Sequence, residues 1–252
     1  MSTPLKDHKK DPFKRMVILG ESTVEGGGWL IRKEDRYADI VARLIGECQG
    51  APIEYINKGI GANAISPRSP GYPDSRKPSA LERYKTDVIE NHPDLFILAY
   101  GLNDMRAGMP LAEFREDMAT IIREVKAACD PVMVLTTIYY MTGWRSWAPY
   151  DKGSVELTLK YNETIKGLAE EFGCILADVW SAEAPIDWAI HYDGVHANKV
   201  GNLLIAHKVF EAIARGCSGL TKRVYEEDLK TKWTEDTTRA RSHGGDPFVK
   251  TW

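Results

Sequence analysis

Arg15-Met16-Val17-Ile18-Leu19-Gly20, followed at once by Glu21-Ser22-Thr23-Val24-Glu25-Gly26-Gly27-Gly28, is the stretch from which the fold is read. The first six residues put apolar side chains on both faces, the pattern of a strand covered on two sides in a parallel sheet. The run stops in a polar, glycine-rich turn. In open parallel sheets ligands bind at that carboxyl edge, so residues directly after strands are the first candidates for chemistry.

Working outward, residues 53–57, 94–100, 132–138 and 174–179 repeat the strand-length apolar pattern, which makes five strands. Amphipathic segments separate them. Tyr37, Ile40, Val41, Leu44, Ile45 and Cys48 recur at helical spacing, as do Leu111, Phe114, Met118, Ile121 and Val125 after Pro110. Ser154 is placed to cap a third helix, with Leu159, Ile165, Leu168 and Phe172 facing inward and a stop at Gly173. Val200, Leu203, Leu204, His207 and Phe210 mark a fourth ending near Gly216, and residues 78–90 a shorter one. This order predicts an α/β domain over residues 15–216, a three-layer α/β/α sandwich on a five-stranded parallel sheet with right-handed crossovers. A polar extension, 1–14, precedes it. A polar tail, 217–252, carries Gly244-Gly245, Phe248 and Trp252 and is expected to pack on the domain or on a partner subunit, giving a route to a homo-oligomer.

Composition narrows the function. At 252 residues, 43% hydrophobic and 27% charged, the chain is neither disordered, collagen-like nor a coiled coil. Its 33 basic and 36 acidic residues lack the cationic excess of a nucleic-acid binder. Cys48, Cys129, Cys174 and Cys217 form no C-x-x-C pair, so no metal site is expected. With no membrane-length apolar run and no signal-peptide core near Met1, the reading is a cytoplasmic protein with reduced thiols.

Four polar clusters follow strands: Gly20-Glu21-Ser22, Asn57-Lys58-Gly59-Ile60-Gly61-Ala62, Gly101-Leu102-Asn103-Asp104 and Asp193-Gly194-Val195-His196. A serine attacks carbonyls at neutral pH only when a base takes its proton. That base is a histidine whose other ring nitrogen is held by an acceptor, usually a carboxylate. Ser22, His196 and Asp193 supply the three roles, and a three-residue spacing lets Asp193 reach the imidazole locally. The oxyanion formed by attack needs fixed donors; the N–H of Ser22, an N–H in the 59–63 loop and the Asn103 amide are the candidates. Singly, each residue has a plainer use: Ser22 as a helix cap, His196 as a surface histidine, Asn103 and Asp104 in an Asx turn.

Taken together the four clusters resemble the SGNH hydrolases of the GDSL esterase and lipase superfamily, over residues 15–215. The family's Gly-Asp-Ser, Asn-x-Gly-x-x-Gly, Gly-x-Asn-Asp and Asp-x-x-His blocks fall in order after the expected strands. The resemblance implies a flavodoxin-like sheet, Ser22 and His196 as catalytic residues, no cofactor, and a small-molecule ester as substrate. Three positions depart from the pattern. Glu21 replaces aspartate, Ala197 replaces a proline, and Ala62 stands where the oxyanion-hole glycine belongs. Ala62 donates its N–H comfortably at negative φ, whereas positive φ strains alanine and favours Gly61 as donor.

Within the family, an acetyl-type ester of a carbohydrate-like alcohol fits better than a lipid. The loop 141–152 carries Trp144 and Trp147, which with Trp29, Tyr139, Tyr140 and Trp188 are candidates to line the cleft, and no basic amphipathic stretch faces a membrane. Lysophospholipase, thioesterase and acyltransferase activities share the family. A flavodoxin-type nucleotide binder lacks support, since no phosphate-loop motif is present. A non-catalytic binding protein would leave Ser22, Asp193 and His196 unexplained.

Overall fold

The computed structural model describes residues 6–230. Five parallel strands, β1 (Arg15–Gly20), β2 (Glu54–Gly59), β3 (Leu95–Ala99), β4 (Val132–Thr136) and β5 (Ile175–Ala177), line up in the order β2-β1-β3-β4-β5. The helices in chain order are α1 (Ser22–Glu25), α2 (Tyr37–Gln49), α3 (Tyr72–Ser75), α4 (Ala80–Asp87), α5 (Leu102–Ala107), α6 (Leu111–Cys129), α7 (Val155–Phe172), α8 (Val179–Glu183), α9 (Lys199–Gly216) and α10 (Gly219–Lys230). This is the flavodoxin-like arrangement.

The inner strands are as buried as their composition requires. Met16 to Leu19 and Leu95 to Leu98 have no exposed surface, while β2, at one edge and more polar, is half-exposed. Gly20 pairs with both Gly59 and Ala99, so β1, β2 and β3 end level. After β1 the chain crosses to β2 on one side, then to β3 on the other. The crevice opened by that reversal lies at the turn carrying Ser22.

The helices form where the spacing predicts them, and Ser154 caps α7 by accepting from the Leu157 N–H at 3.1 Å. Two inward faces differ from expectation. On α7, Leu159 is exposed and Thr158, Tyr161 and Asn162 turn inward with Ile165 and Leu168. On α9, Val200 and His207 point out, and Gly201, Asn202, Ile205, Ala206, Val209 and Ile213 form the buried stripe. Each stripe contains a fully paired polar residue, which a purely apolar pattern misses: Asn162 Oδ1 accepts from the Ile138 N–H at 2.7 Å, and Asn202 Oδ1 accepts from the Tyr37 N–H at 3.0 Å.

Around the termini, α10 packs against α2, and residues 8–9 join the chain near 216–219 through His8 N–H to Gly216 O (2.7 Å) and Gly219 N–H to Lys9 O (3.0 Å). The rest of the tail, including Gly244, Gly245, Phe248 and Trp252, lies outside the described residues, as do residues 1–5. Among the described residues, no helix is long and apolar enough to cross a membrane.

Candidate active site

Ser22 begins α1 directly after β1. Rather than capping the helix, its hydroxyl lies 2.9 Å from His196 Nε2, a residue 174 positions away. His196 Nδ1 sits 2.8 Å from Asp193 Oδ2. The other oxygen, Asp193 Oδ1, accepts from the N–H groups of Val195 (2.8 Å) and His196 (2.9 Å), so the Asp-x-x-His block closes on itself as a turn. An ionised carboxylate only accepts, which places the imidazole proton on Nδ1 and leaves the Nε2 lone pair facing Ser22.

The electrostatics agree with that assignment. Burial pulls the Asp193 carboxyl upward, but the His196 backbone N–H, the imidazole and the Val195 N–H outweigh it and hold the group well below the usual range. Burial lowers the His196 pKa, and the Asp193 bond only partly restores it, so the ring is neutral at neutral pH and ready to take a proton.

Candidate oxyanion donors gather beside Ser22. Its own N–H heads α1 and has no intrahelical acceptor. Asn103, at the start of α5, gives one amide hydrogen to Asn63 O at 3.0 Å and retains the other. Ala62 has φ of +54°, the strained case, yet Gly61 is not the free alternative: its N–H is taken by Glu25 Oε2 at 2.6 Å. The Ala62 N–H forms no hydrogen bond among the described residues.

Two buried carboxyls brace these loops. Glu21, carrying one methylene more than the family's aspartate, accepts from the N–H groups of Leu102 (3.3 Å) and Asn103 (3.0 Å) and so caps α5. Asp104 accepts from the Ile65 N–H at 3.2 Å, tying α5 to the loop after β2 instead of forming a turn of its own. Burial pushes both carboxyls up, and at Glu21 the charge of Asp104 adds to the effect. Asn63 is held in turn by the Tyr100 hydroxyl, which donates to its Oδ1 at 2.6 Å. At Gly59 the backbone of α1 passes so close that a Cβ would lie 2.2 Å from the Glu25 nitrogen, so only glycine fits this block position.

The aromatic candidates divide. Tyr139 is buried, its hydroxyl bonded to Thr23 Oγ1 (2.8 Å) and donating to Val195 O (3.0 Å), so it braces the Ser22 turn against the His196 loop. Trp144 clusters with Tyr140 and Trp180, and Trp147 is 73% exposed. Trp29, one of several aromatic residues that sequence placed near the cleft, lies flat on the His196 ring with centroids 3.6 Å apart and planes 5° from parallel. A Cβ on Gly27 would strike the indole at 2.4 Å, so glycine at that position leaves room for the ring. His191, to which sequence gave no role, brings Nδ1 within 3.0 Å of Asp193 Oδ2.

The profile of the GDSL-like lipase/acylhydrolase family matches residues 18–204. Among solved structures, the chain resembles a lipase/acylhydrolase from Enterococcus faecalis, with 21% identity, a TM-score of 0.63, and coverage of 79% of this chain and 95% of that one. It also resembles the acetylxylan esterase Axe2 from Geobacillus stearothermophilus, with 20% identity, a TM-score of 0.62, and coverage of 81% and 96%. At such identities the likeness carries the fold. No curated protein matches the sequence.

Proposed function

The chain belongs to the GDSL-like lipase/acylhydrolase family and is an ester hydrolase, and from that footing we propose a serine esterase that works through an acyl-enzyme on small acyl groups, such as acetyl, borne by carbohydrate-like alcohols. The observation that carries the reading is the continuous Ser22–His196–Asp193 chain, with contacts of 2.9 and 2.8 Å. His196 Nε2 takes the Ser22 proton as Oγ bonds to the ester carbonyl carbon. The carbonyl electrons move to an oxyanion that the N–H groups of Ser22 and Ala62 and the Asn103 amide stabilise. The carbon–alkoxide bond then breaks and the alkoxide leaves with the proton held by His196. Water, deprotonated by the same imidazole, adds to the acyl carbon; as the acyl–Ser22 bond breaks, His196 returns the proton to Ser22 Oγ and the acid is released.

The carbohydrate preference is supported by exposed rings beside the site. Trp147 stands on a loop whose Gly143 N–H donates to Gly194 O at 2.6 Å, and the exposed Trp188 and Tyr192 lie within three residues of His191 in the chain. Exposed aromatic faces suit sugar rings, and one fold neighbour is an acetylxylan esterase.

Hydrolysis of p-nitrophenyl acetate, butyrate and octanoate by the wild type and by Ser22→Ala, with chelator present, tests both parts. Turnover that vanishes in the variant and declines with acyl length is expected. Activity surviving in Ser22→Ala would remove the serine mechanism, and a preference for octanoate would remove the small-acyl assignment.

A further inference from the structure

The proline- and serine-rich segment 66–77 ends at Lys77, an exposed residue that the ester chemistry leaves without a role. Its ammonium donates to the Gly61 carbonyl oxygen at 2.9 Å. On the other side of the same residue, the Gly61 N–H donates to the Glu25 carboxylate at 2.6 Å. Gly61 is thus gripped at both of its peptide groups by opposite charges. The Gly61 carbonyl and the Ala62 N–H belong to one peptide unit, and in a planar trans peptide they point in opposite directions. Whatever fixes that oxygen also fixes where the Ala62 N–H is aimed.

Resting on the esterase reading above, the geometry points to Lys77 as a positioning residue for the oxyanion hole, locking the Gly61–Ala62 peptide so that the Ala62 N–H faces the oxyanion. Gly61 lies against the nucleophile, since a Cβ built on it would come within 3.8 Å of Ser22 Cβ. The Ala62 N–H is unengaged among the described residues, as a donor awaiting substrate must be. The lock also answers a need that this sequence creates. A peptide flips by coupled rotation about ψ of residue 61 and φ of residue 62, and a flip here would carry Ala62 out of its +54° conformation, a left-handed geometry that disfavours alanine. Glycine at position 62 would feel no such pull; alanine needs the peptide held from outside.

Lys77 is built to hold it. Its N–H donates to Ser75 Oγ at 3.2 Å, and its carbonyl accepts from the same hydroxyl at 3.3 Å. The next carbonyl, that of Pro78, accepts from Asn63 Nδ2 at 2.9 Å, so the lysine backbone is pinned to the loop it grips. A charge-assisted bond to a peptide oxygen also polarises the unit and strengthens its N–H as a donor.

The test compares wild type, Lys77→Met, Lys77→Arg and Ser22→Ala on p-nitrophenyl acetate, with the Ala62 amide followed by 15N–1H NMR. Lys77→Met is expected to lose about tenfold in kcat, less than deletion of a whole oxyanion donor, with KM changed by no more than about twofold. Lys77→Arg, which keeps a cationic donor, should recover most of the loss. The Ala62 resonance should move in Lys77→Met and return toward its wild-type position in Lys77→Arg. An unchanged kcat, a loss confined to KM, or a stationary resonance would each overturn the assignment. Turnover abolished by Ser22→Ala keeps the esterase reading standing whatever Lys77 does. A wild type that neither hydrolyses these esters nor reacts with a fluorophosphonate removes that reading, and the role of Lys77 falls with it.

Discussion

Replacing Asp193 by asparagine changes one atom and should invert the chemistry of His196. The position presents two different surfaces to the side chain. Oδ1 accepts from two backbone N–H groups at 2.8 and 2.9 Å, whereas Oδ2 faces ring nitrogens, His196 Nδ1 at 2.8 Å and His191 Nδ1 at 3.0 Å. An asparagine must leave its oxygen against the backbone donors, because an amide NH2 there would confront two N–H groups. Its NH2 therefore faces His196 Nδ1 and turns that nitrogen into an acceptor. The ring proton moves to Nε2 and points at Ser22, so the base is lost, and the imidazolium formed during attack loses its counter-charge as well. The expected cost is on the order of a thousand- to ten-thousandfold in kcat, about 4–5.5 kcal/mol of barrier. The turn keeps its backbone bonds, so the melting temperature should fall by only a few degrees. Steady-state hydrolysis of p-nitrophenyl acetate gives the rate, and a thermal melt shows that the loop persists. A variant keeping more than a tenth of wild-type kcat with an unchanged melt would refute the tautomer argument.

Because burial lowers the His196 pKa, kcat should rise as the imidazole loses its proton, along a limb centred below 6.5, and then stay level through neutral pH; a limb above pH 7 in the pH–rate profile would contradict this. Trp29→Ala uncovers the ring, so that limb should move to higher pH while kcat drops by about three- to tenfold, and an unmoved limb would show that the stack is incidental. Ala62→Gly relieves the positive φ and should stabilise the fold by roughly 0.5–1 kcal/mol in denaturant titration, with kcat within about threefold while Lys77 holds the peptide. Glu183 is fully buried with neither carboxylate oxygen hydrogen-bonded among the described residues, and burial pushes its pKa up to about 8. The unfolded chain releases this proton near pH 4.5 and the folded one near 8, so this contribution to stability is full below pH 4.5 and lost progressively as pH rises to 8. Glu183→Gln should reduce the fall in melting temperature between pH 5 and pH 8.5, and an identical fall would place that pH dependence elsewhere.

The parts of the molecule legible in advance were those written in local pattern. The apolar run from Met16 to Leu19 can be satisfied only between two layers, and Ser154 and Gly173 punctuate α7 through bonds that span a single turn. Asn162 and Asn202 join the inward stripes of α7 and α9 because each pairs with a backbone group from another element, and no helical period reveals that partner. The bracing role of Tyr139 is hidden for the same reason, since its hydroxyl joins residues more than fifty positions away on either side.

By itself, then, the sequence determined the layers, the strand-following blocks and the local closure of Asp193 on His196, because each depends on neighbours within a few residues. Tertiary structure alone decided that Trp29 covers His196, that Glu25 takes the N–H sequence had offered as an oxyanion donor, and that Lys77 reaches back to the Gly61 carbonyl. It also set the sign of φ at Ala62, which composition leaves open. A backbone angle held against its own preference, and a donor's aim fixed from the far side of its peptide, are consequences of contacts between distant segments. Those contacts exist only once the sheet has brought the ends of β1, β2 and β3 level.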